Sequence, residues 1–253
     1  MSFSSDLKIL WHMAVSPIRG KTHSERLESF YGKQAEGYDD FRRRLLQGRR
    51  EMWEALPVNA GDRAVDMGGG TGANLEFLGD RISKFQQLQL VDLSGSLLKV
   101  AQERITARGW NNVSTVETDA TTWMPEQPVD LVTFSYSLTM IPDWFAAIDQ
   151  ACKMLKPGGL IGVVDFYVSR KYPDTGRAKH SWLTSTFWPN WFRFDNVFPS
   201  PDHLPYLHRH FNPVTVSEHR ARIPYMPFSR VPYYIFIGRK PDAQQADCAR
   251  STP

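Results

Sequence analysis

The chain is short of cysteine, of long apolar runs and of net charge, and each shortage excludes a class of protein. Only two of its 253 residues are cysteine. Cys152 falls on an apolar helical face, as a small core residue does, and Cys248 lies in a polar tail. Two such positions suggest neither a disulfide framework nor a zinc site, so a reducing cytoplasm is the expected compartment. No apolar run reaches the ~18 residues of a membrane span. Residues 7–15 are apolar but contain Lys8 and His12, with no clean cleavage site after them, so no signal peptide is expected. Lys and Arg exceed Asp and Glu by only three, 30 against 27. Nucleic-acid binding usually needs a concentrated basic face, and none is expected here. There is no internal repeat.

What remains is an ordinary globular composition, 42% hydrophobic and 23% charged, with aromatics high at 13%. The length fits one α/β domain with embellishments. Residues 7–15, 24–35 and 37–56 read as helices, so residues 1–56 form a helical cap on the domain. From residue 57 strands and helices alternate. Strands are expected at Arg63–Met67, Phe85–Asp92, Val113–Thr118, Val129–Ser135 and Leu160–Phe166. Helices are expected from Asn74, over Ser94–Arg108 with Ser94 as N-cap, and over Trp144–Leu155. That alternation implies βαβ units and a parallel sheet with right-handed crossovers. Residues 167–211, rich in aromatics, proline and histidine, read as a lid-like insertion. Val214–Ile223 and Val231–Arg239 then close the sheet as an antiparallel pair. The core therefore spans 57–240, and residues 241–253 read as a disordered tail.

The chemistry lies at the C-terminal strand ends, where open α/β sheets bind ligands. Asp66-Met67-Gly68-Gly69-Gly70-Thr71-Gly72 follows the first strand and opens a helix. Gly68, Gly70 and Gly72 let a ligand lie against the backbone. Asp66 would repel a pyrophosphate but suits a cation, such as an amino group. Asp92 ends the second strand, 20 residues past Gly72, where an acid accepts from a ribose diol. Alone it also reads as a turn aspartate or helix cap. Asp119 ends the third strand, where a carboxylate accepts from an adenine amine.

These residues resemble class I methyltransferases, which use S-adenosylmethionine as cofactor. Val65 to Gly72 resembles that family's first motif, Val91-Asp92-Leu93-Ser94 its ribose turn and Thr118-Asp119-Ala120 its adenine turn. Phe134-Ser135-Tyr136-Ser137-Leu138 resembles the strand-four motif, and Leu155-Lys156-Pro157-Gly158-Gly159 the turn before strand five. The resemblance implies a Rossmann-like α/β fold with a seven-stranded sheet, mostly parallel with an antiparallel closing strand. It implies cofactor contacts at Asp66, Gly68, Gly70, Asp92, Leu93, Asp119, Ala120 and Ser135. Gln34 to Asp39 is similar to the lead-in whose tyrosine, here Tyr38, packs on the cofactor. An early arginine, Arg43, would pair with the cofactor's carboxylate, although Arg42–Arg44, Arg49 and Arg50 also read as a solvated face. The Asn/Asp-Pro-Pro-Tyr tetrapeptide of members that methylate nucleic-acid amines is absent.

A narrower resemblance runs through Phe30–Asp39, Leu45–Arg49, Trp191–Phe211 and Arg230–Gly238. These stretches are similar to the BtaB-type methyltransferase of betaine-lipid synthesis. It implies trimethylation of the amine of diacylglyceryl-homoserine, a lipid substrate met at the membrane surface, and a separate homoserine-transferring enzyme as partner. Localisation would be cytoplasmic, peripheral to the inner membrane. The amine must be neutral at attack, so a general base or a desolvated pocket is expected. Tyr31, His180, His203 and Asp165 are base candidates, with Tyr31 and His203 nominated as catalytic. Trp182, Phe187, Trp188, Trp191, Phe192, Phe194 and Phe198 read either as a lid packed on the core or as a ring-lined acceptor site or acyl-facing surface. Tyr136, Trp188 and Trp191 are nominated as substrate- or lipid-facing. The other readings are methylation of a quinone precursor or free amine, a non-enzymatic cofactor-binding scaffold, and a nicotinamide-dependent oxidoreductase, which the acid before the glycines opposes.

Overall fold

The computed structural model describes residues 45–193, 196–223 and 226–242, without the side chains of 226–228. The expected helices at 7–15 and 24–35, and the tail beyond 242, lie outside these residues. Seven strands form one sheet in the order β3-β2-β1-β4-β5-β7-β6. They are β1 (Arg63–Met67), β2 (Gln87–Asp92), β3 (Val113–Glu117), β4 (Val129–Ser135), β5 (Leu155–Phe166), β6 (Asn212–Ile223) and β7 (Met226–Arg239). β1 to β5 pair in parallel, and β7 runs antiparallel to both β5 and β6. This is the expected Rossmann-like, seven-stranded α/β sheet with its antiparallel closing pair.

The central strands are apolar along their length because helices cover both faces. One face carries α1 (Arg49–Ala55), a 3-10 segment (Ala73–Lys84), α2 (Gly95–Arg108) and α4 (Trp182–Phe192). The other carries α3 (Trp144–Met154) and α5 (His203–His210). Local chemistry sets the helix ends. The Ser94 hydroxyl accepts from the Leu97 N–H at 3.4 Å, and Gly109 at φ 66° closes α2. Asp143 accepts from Ala146 N–H at the start of α3. β6, at the sheet edge, carries charges at Glu218, Arg220 and Arg222, which discourages further pairing.

Four expectations change. Of the helix expected over 37–56, the regular part within the described residues is Arg49–Ala55, because Gly48 at φ 84° breaks the chain immediately before it. The segment after the glycine-rich turn winds as 3-10 helix and kinks at Gly79. β5 begins at Leu155 rather than Leu160, because Leu155 already pairs with Val129 before a register shift. The stretch 167–211 contains two helices, α4 and α5, which pack on opposite faces of the sheet.

Candidate functional site

Strand order reverses between β1 and β4, and a ligand crevice is expected beyond the carboxyl ends of the strands there. A cleft of about 870 Å³ occupies that position. Gly68, Gly69, Gly70 and Thr71 form its floor. Asp92 and Leu93 come from the end of β2, and Thr118, Asp119 and Ala120 from the end of β3. Ser135, Tyr136 and Ser137 line it from the end of β4, with Met140 and Ile141 beyond. The parallel register explains the convergence, since Asp66 aligns with Leu90 and Thr133, and Asp92 with Glu117.

The floor is built for close approach. Gly68 sits at φ 69°, and a Cβ there would stand 2.5 Å from the Ser137 Cβ. Gly70, at φ 57°, donates its N–H to Asp92 Oδ2 at 2.9 Å. Asp92 Oδ1 accepts from Ser94 N–H, also at 2.9 Å. Two backbone donors thus fix the Asp92 carboxylate at the cleft wall and leave it lone pairs for a diol. The Asp119 Oδ1 accepts from the Thr121 N–H and hydroxyl, at 2.8 and 2.7 Å.

Asp66 lies below the floor rather than on the cleft wall. It is fully buried, and its Oδ1 accepts from the Thr133 hydroxyl at 2.7 Å. Its Oδ2 has no hydrogen-bond partner. Burial, together with the nearby Asp92 charge, pushes its carboxyl up to about 7, against the opposing pull of Thr133, Asn74 and Arg49. An anionic oxygen left without a donor under a glycine floor suits a cationic ligand group. The Ser135 hydroxyl, buried at the cleft wall, is also without a partner.

Sequence reasoning missed Arg49 as a cleft residue. A run of arginines suggests a solvated face, yet Arg49 is buried and lines the cleft. Its Nε donates to Leu46 O and its Nη1 to Asn74 Oδ1, each at 3.0 Å. The signal available was its place one turn before the buried Met52 and Trp53. Arg43, nominated as the carboxylate partner, lies outside the described residues, as do Tyr31 and Tyr38. Arg49 is the cation the structure places at the cleft.

Two nominations do not survive the geometry. His203 is not at the cleft. It is fully buried on the opposite face, its ring edge-on to Trp144 at 4.7 Å, and neither ring nitrogen has a partner. Burial lowers its pKa to about 3, so a neutral imidazole packed among rings is no base for the cleft. Trp188 is 3% exposed and packs inward among α4's rings, so it faces neither solvent nor lipid; Trp191 is 43% exposed. Tyr136 does line the cleft, but its hydroxyl donates to Gln47 O at 2.6 Å and burial raises its pKa well above the ordinary value. His180 is buried near Tyr167 and accepts from Ser169 N–H. Asp165 is buried, accepts from Thr139 N–H, the Thr139 hydroxyl and Phe166 N–H, and is raised to about 7 by burial.

Glycine floor, diol acceptor at the end of β2 and orphaned carboxylate below them fit a sulfonium nucleoside with an amino-acid tail. Asp92 would hold its ribose, Asp119 and Ala120 its base, and Asp66 and Arg49 its ammonium and carboxylate ends. The arrangement is the one that the resemblance to class I methyltransferases implies, with S-adenosylmethionine as the cofactor it would hold. Residues 64–159 match the family described as Methyltransferase domain. The chain is 28% identical over 169 residues to the ubiquinone/menaquinone biosynthesis C-methyltransferase UbiE of Pseudomonas fluorescens. That match covers 64% of this chain and 66% of the relative, just under two thirds of its length. Among solved structures, the N-methyltransferase NodS of Bradyrhizobium japonicum with S-adenosylhomocysteine bound superposes at TM-score 0.58. It is 17% identical, over 83% of this chain and 91% of that one. The cyclase SpnF superposes at TM-score 0.64 with 16% identity, over 90% and 100% of the two chains. These structural likenesses bear on the fold alone.

Proposed function

We propose that the chain transfers a methyl group from S-adenosylmethionine to the amine of a lipid-linked homoserine, giving the trimethyl betaine lipid. The observation that supports this most is the cleft itself, in which the diol acceptor Asp92 and the orphaned Asp66 oxygen meet one glycine floor. The cofactor brings an electrophilic methyl on a sulfonium. The residues bind and orient it, and the amine must then approach in line to about 3–3.5 Å.

Among the described residues that line the cleft, Arg49, Asp92, Asp119 and Tyr136 are the titratable ones. Arg49 is cationic, Asp92 is held by two N–H donors, Asp119 sits at the nucleoside's outer end and Tyr136 keeps its proton. None is placed as a base. Among these residues the contribution to a neutral amine would be exclusion of water, with Tyr136, Met140 and Ile141 as the dry wall. The Tyr136 ring, backed edge-on by Phe166 at 4.6 Å, would stabilise the growing positive charge by about 0.5–2 kcal/mol. The nominated base Tyr31 belongs to this proposal as a residue to be tested.

A second reading is supported by the 28% identity to a quinone C-methyltransferase. It would have the same cofactor and an aromatic carbon as acceptor. Purified protein with S-adenosylmethionine should release S-adenosylhomocysteine with diacylglyceryl-homoserine, and mass spectrometry should show stepwise methyl additions up to three. Turnover on a demethylated quinone precursor with none on the homoserine lipid would replace the first reading with the second.

A further inference from the structure

α4 carries one polar line, Thr186, Asn190 and Arg193, and a wide apolar arc beside it, of which the described residues cover only the inner part. Trp188 and Phe192 point into the core. On the outer side, Trp182, Leu183, Phe187 and Trp191 are 79%, 67%, 39% and 43% exposed. Leu183, Phe187 and Trp191 follow at four-residue spacing and form one stripe along the helix, with Phe187 and Trp191 stacked at 5.7 Å. An apolar arc that extends past the face packed on the core marks a surface for a further partner or for lipid.

Taken together, the sequence on either side of this helix is net cationic. Lys171 and Lys179 flank the exposed Tyr172 ring at 5.4 and 6.0 Å, and Arg193 follows the helix. From residue 171 to 195 the sequence holds Lys171, Arg177, Lys179 and Arg193 against Asp174 and Asp195. Among the described residues no carboxylate pairs with Lys171, Lys179 or Arg193.

We propose that the outer face of α4 docks the protein on an anionic lipid surface, its rings entering the interfacial layer while Lys171, Lys179 and Arg193 meet lipid phosphates. Charge decides against a second copy of the chain as occupant. A two-fold contact through this face would bring the same net positive segment, four cations against two acids over 171–195, onto itself. The position of the face gives the docking a use. Ring contacts run from the cleft wall to the stripe: Tyr136 to Phe166 at 4.6 Å, Phe166 to Phe192 at 4.9 Å, Phe192 to Trp188 at 5.7 Å and Trp188 to Phe187 at 4.9 Å. The exposed Phe198 donates its N–H to Thr139 O, beside Met140 of the cleft. The docking face is thus the outside of the wall whose inside is Tyr136, and docking sets the cleft beside the lipid surface. This holds whatever the methyl acceptor is.

The test is co-sedimentation of the full chain with sucrose-loaded vesicles, without cofactor or acceptor. Phosphatidylcholine alone is compared with a phosphatidylcholine–phosphatidylglycerol mixture. The wild type should bind the mixed vesicles on the order of 10-fold more strongly, and lose that excess in high salt. The combined variant Trp182→Ser, Phe187→Ser, Trp191→Ser should bind on the order of 10-fold or more weakly, at unchanged thermal midpoint and unchanged S-adenosylhomocysteine affinity. Val214→Ser, which removes an exposed apolar residue on β6, should bind as the wild type does. The proposal is overturned by no vesicle binding, or by equal binding of the triple variant. It is equally overturned by a wild-type dimer that the triple variant dissociates without any vesicle binding. Failure of methyl transfer to a homoserine lipid would leave this result untouched, so the two readings fail separately.

Discussion

Asp66 carries a prediction in which stability and binding move in opposite directions. Replacing it with Asn keeps the shape and an acceptor for the Thr133 hydroxyl but removes the charge. In the wild type the carboxyl rises from its ordinary 3.8 to about 7, chiefly through burial. Between those values the unfolded chain releases its proton and the folded chain keeps it. The free energy of unfolding therefore falls as pH climbs from about 4 to about 7, and is level above. At about 1.4 kcal/mol for each tenfold change in proton affinity, the full penalty is about 4 kcal/mol. Asp66→Asn does not titrate. Its stability relative to wild type should rise by about 2.5 kcal/mol between pH 5 and pH 8, or about 5–10 °C in melting temperature.

The same substitution should weaken S-adenosylhomocysteine binding by about 1.5–3 kcal/mol, the worth of a hydrogen bond to a charged group. Wild-type affinity should climb as pH rises from 6 towards 7.5, while Asp66 ionises and the ligand's ammonium is still protonated; the variant should be flat over that interval. Calorimetry of binding and thermal melts in matched buffers supply both readings. The reasoning fails if Asp66→Asn binds as tightly as wild type, or if the stability difference ignores pH. A carboxylate that destabilises the empty protein and grips the loaded one is the signature of a functional site.

Three further substitutions probe other parts of the cleft. Asp92→Ala should weaken S-adenosylhomocysteine by about 1–3 kcal/mol and also lower the melting temperature, since Gly70 N–H and Ser94 N–H lose their acceptor; unchanged affinity by calorimetry would remove the ribose assignment. Gly68→Ala puts a Cβ 2.5 Å from that of Ser137 at φ 69°, and should cost about 1–3 kcal/mol of stability with loss of binding, checked by denaturant unfolding. Trp188→Ala should destabilise by about 3–5 kcal/mol, as a buried ring does. Melting unchanged from wild type would contradict its inward placement.

The parallel half of the sheet was legible because its signals are local. β1 and β4 begin and end at the expected residues, and the acids after β1, β2 and β3 lie at the strand ends that the alternation implied. The floor was legible for the same reason: few sequences need glycine at 68, 70 and 72 together, and the observed φ values show why. Asp66 was placed correctly along the chain but not in depth. Side-chain alternation sets it on the same face as Ala64, toward α1 and the 3-10 segment, beneath the glycines rather than beside the ligand. Arg49 was hidden by its neighbours, because charge density says nothing about which arginine turns inward.

Helix phase accounts for the remaining misplacements, and it separates a signal that was available from one that was not. In α5, Leu204 and Leu207 are three apart and buried, and His203 lies one turn before Leu207 on the same side. That spacing alone carries His203 into the core, where only a neutral imidazole is tolerated, so its catalytic nomination conflicted with the period of its own helix. In α4 the reading was incomplete. Thr186, Asn190 and Arg193 mark one polar line at i, i+4 and i+7, but Leu183, Phe187, Trp191, Trp188 and Phe192 spread over an arc wider than one packing face. Such an arc specifies that the helix is buried but not which part of the arc the protein buries. Here the sheet takes Trp188 and Phe192 through the stacked Phe166, and leaves Trp191 and Phe187 outside. The excess width of the apolar arc, which defeats prediction of the inward part, is also what singles out the outward part for the proposed docking.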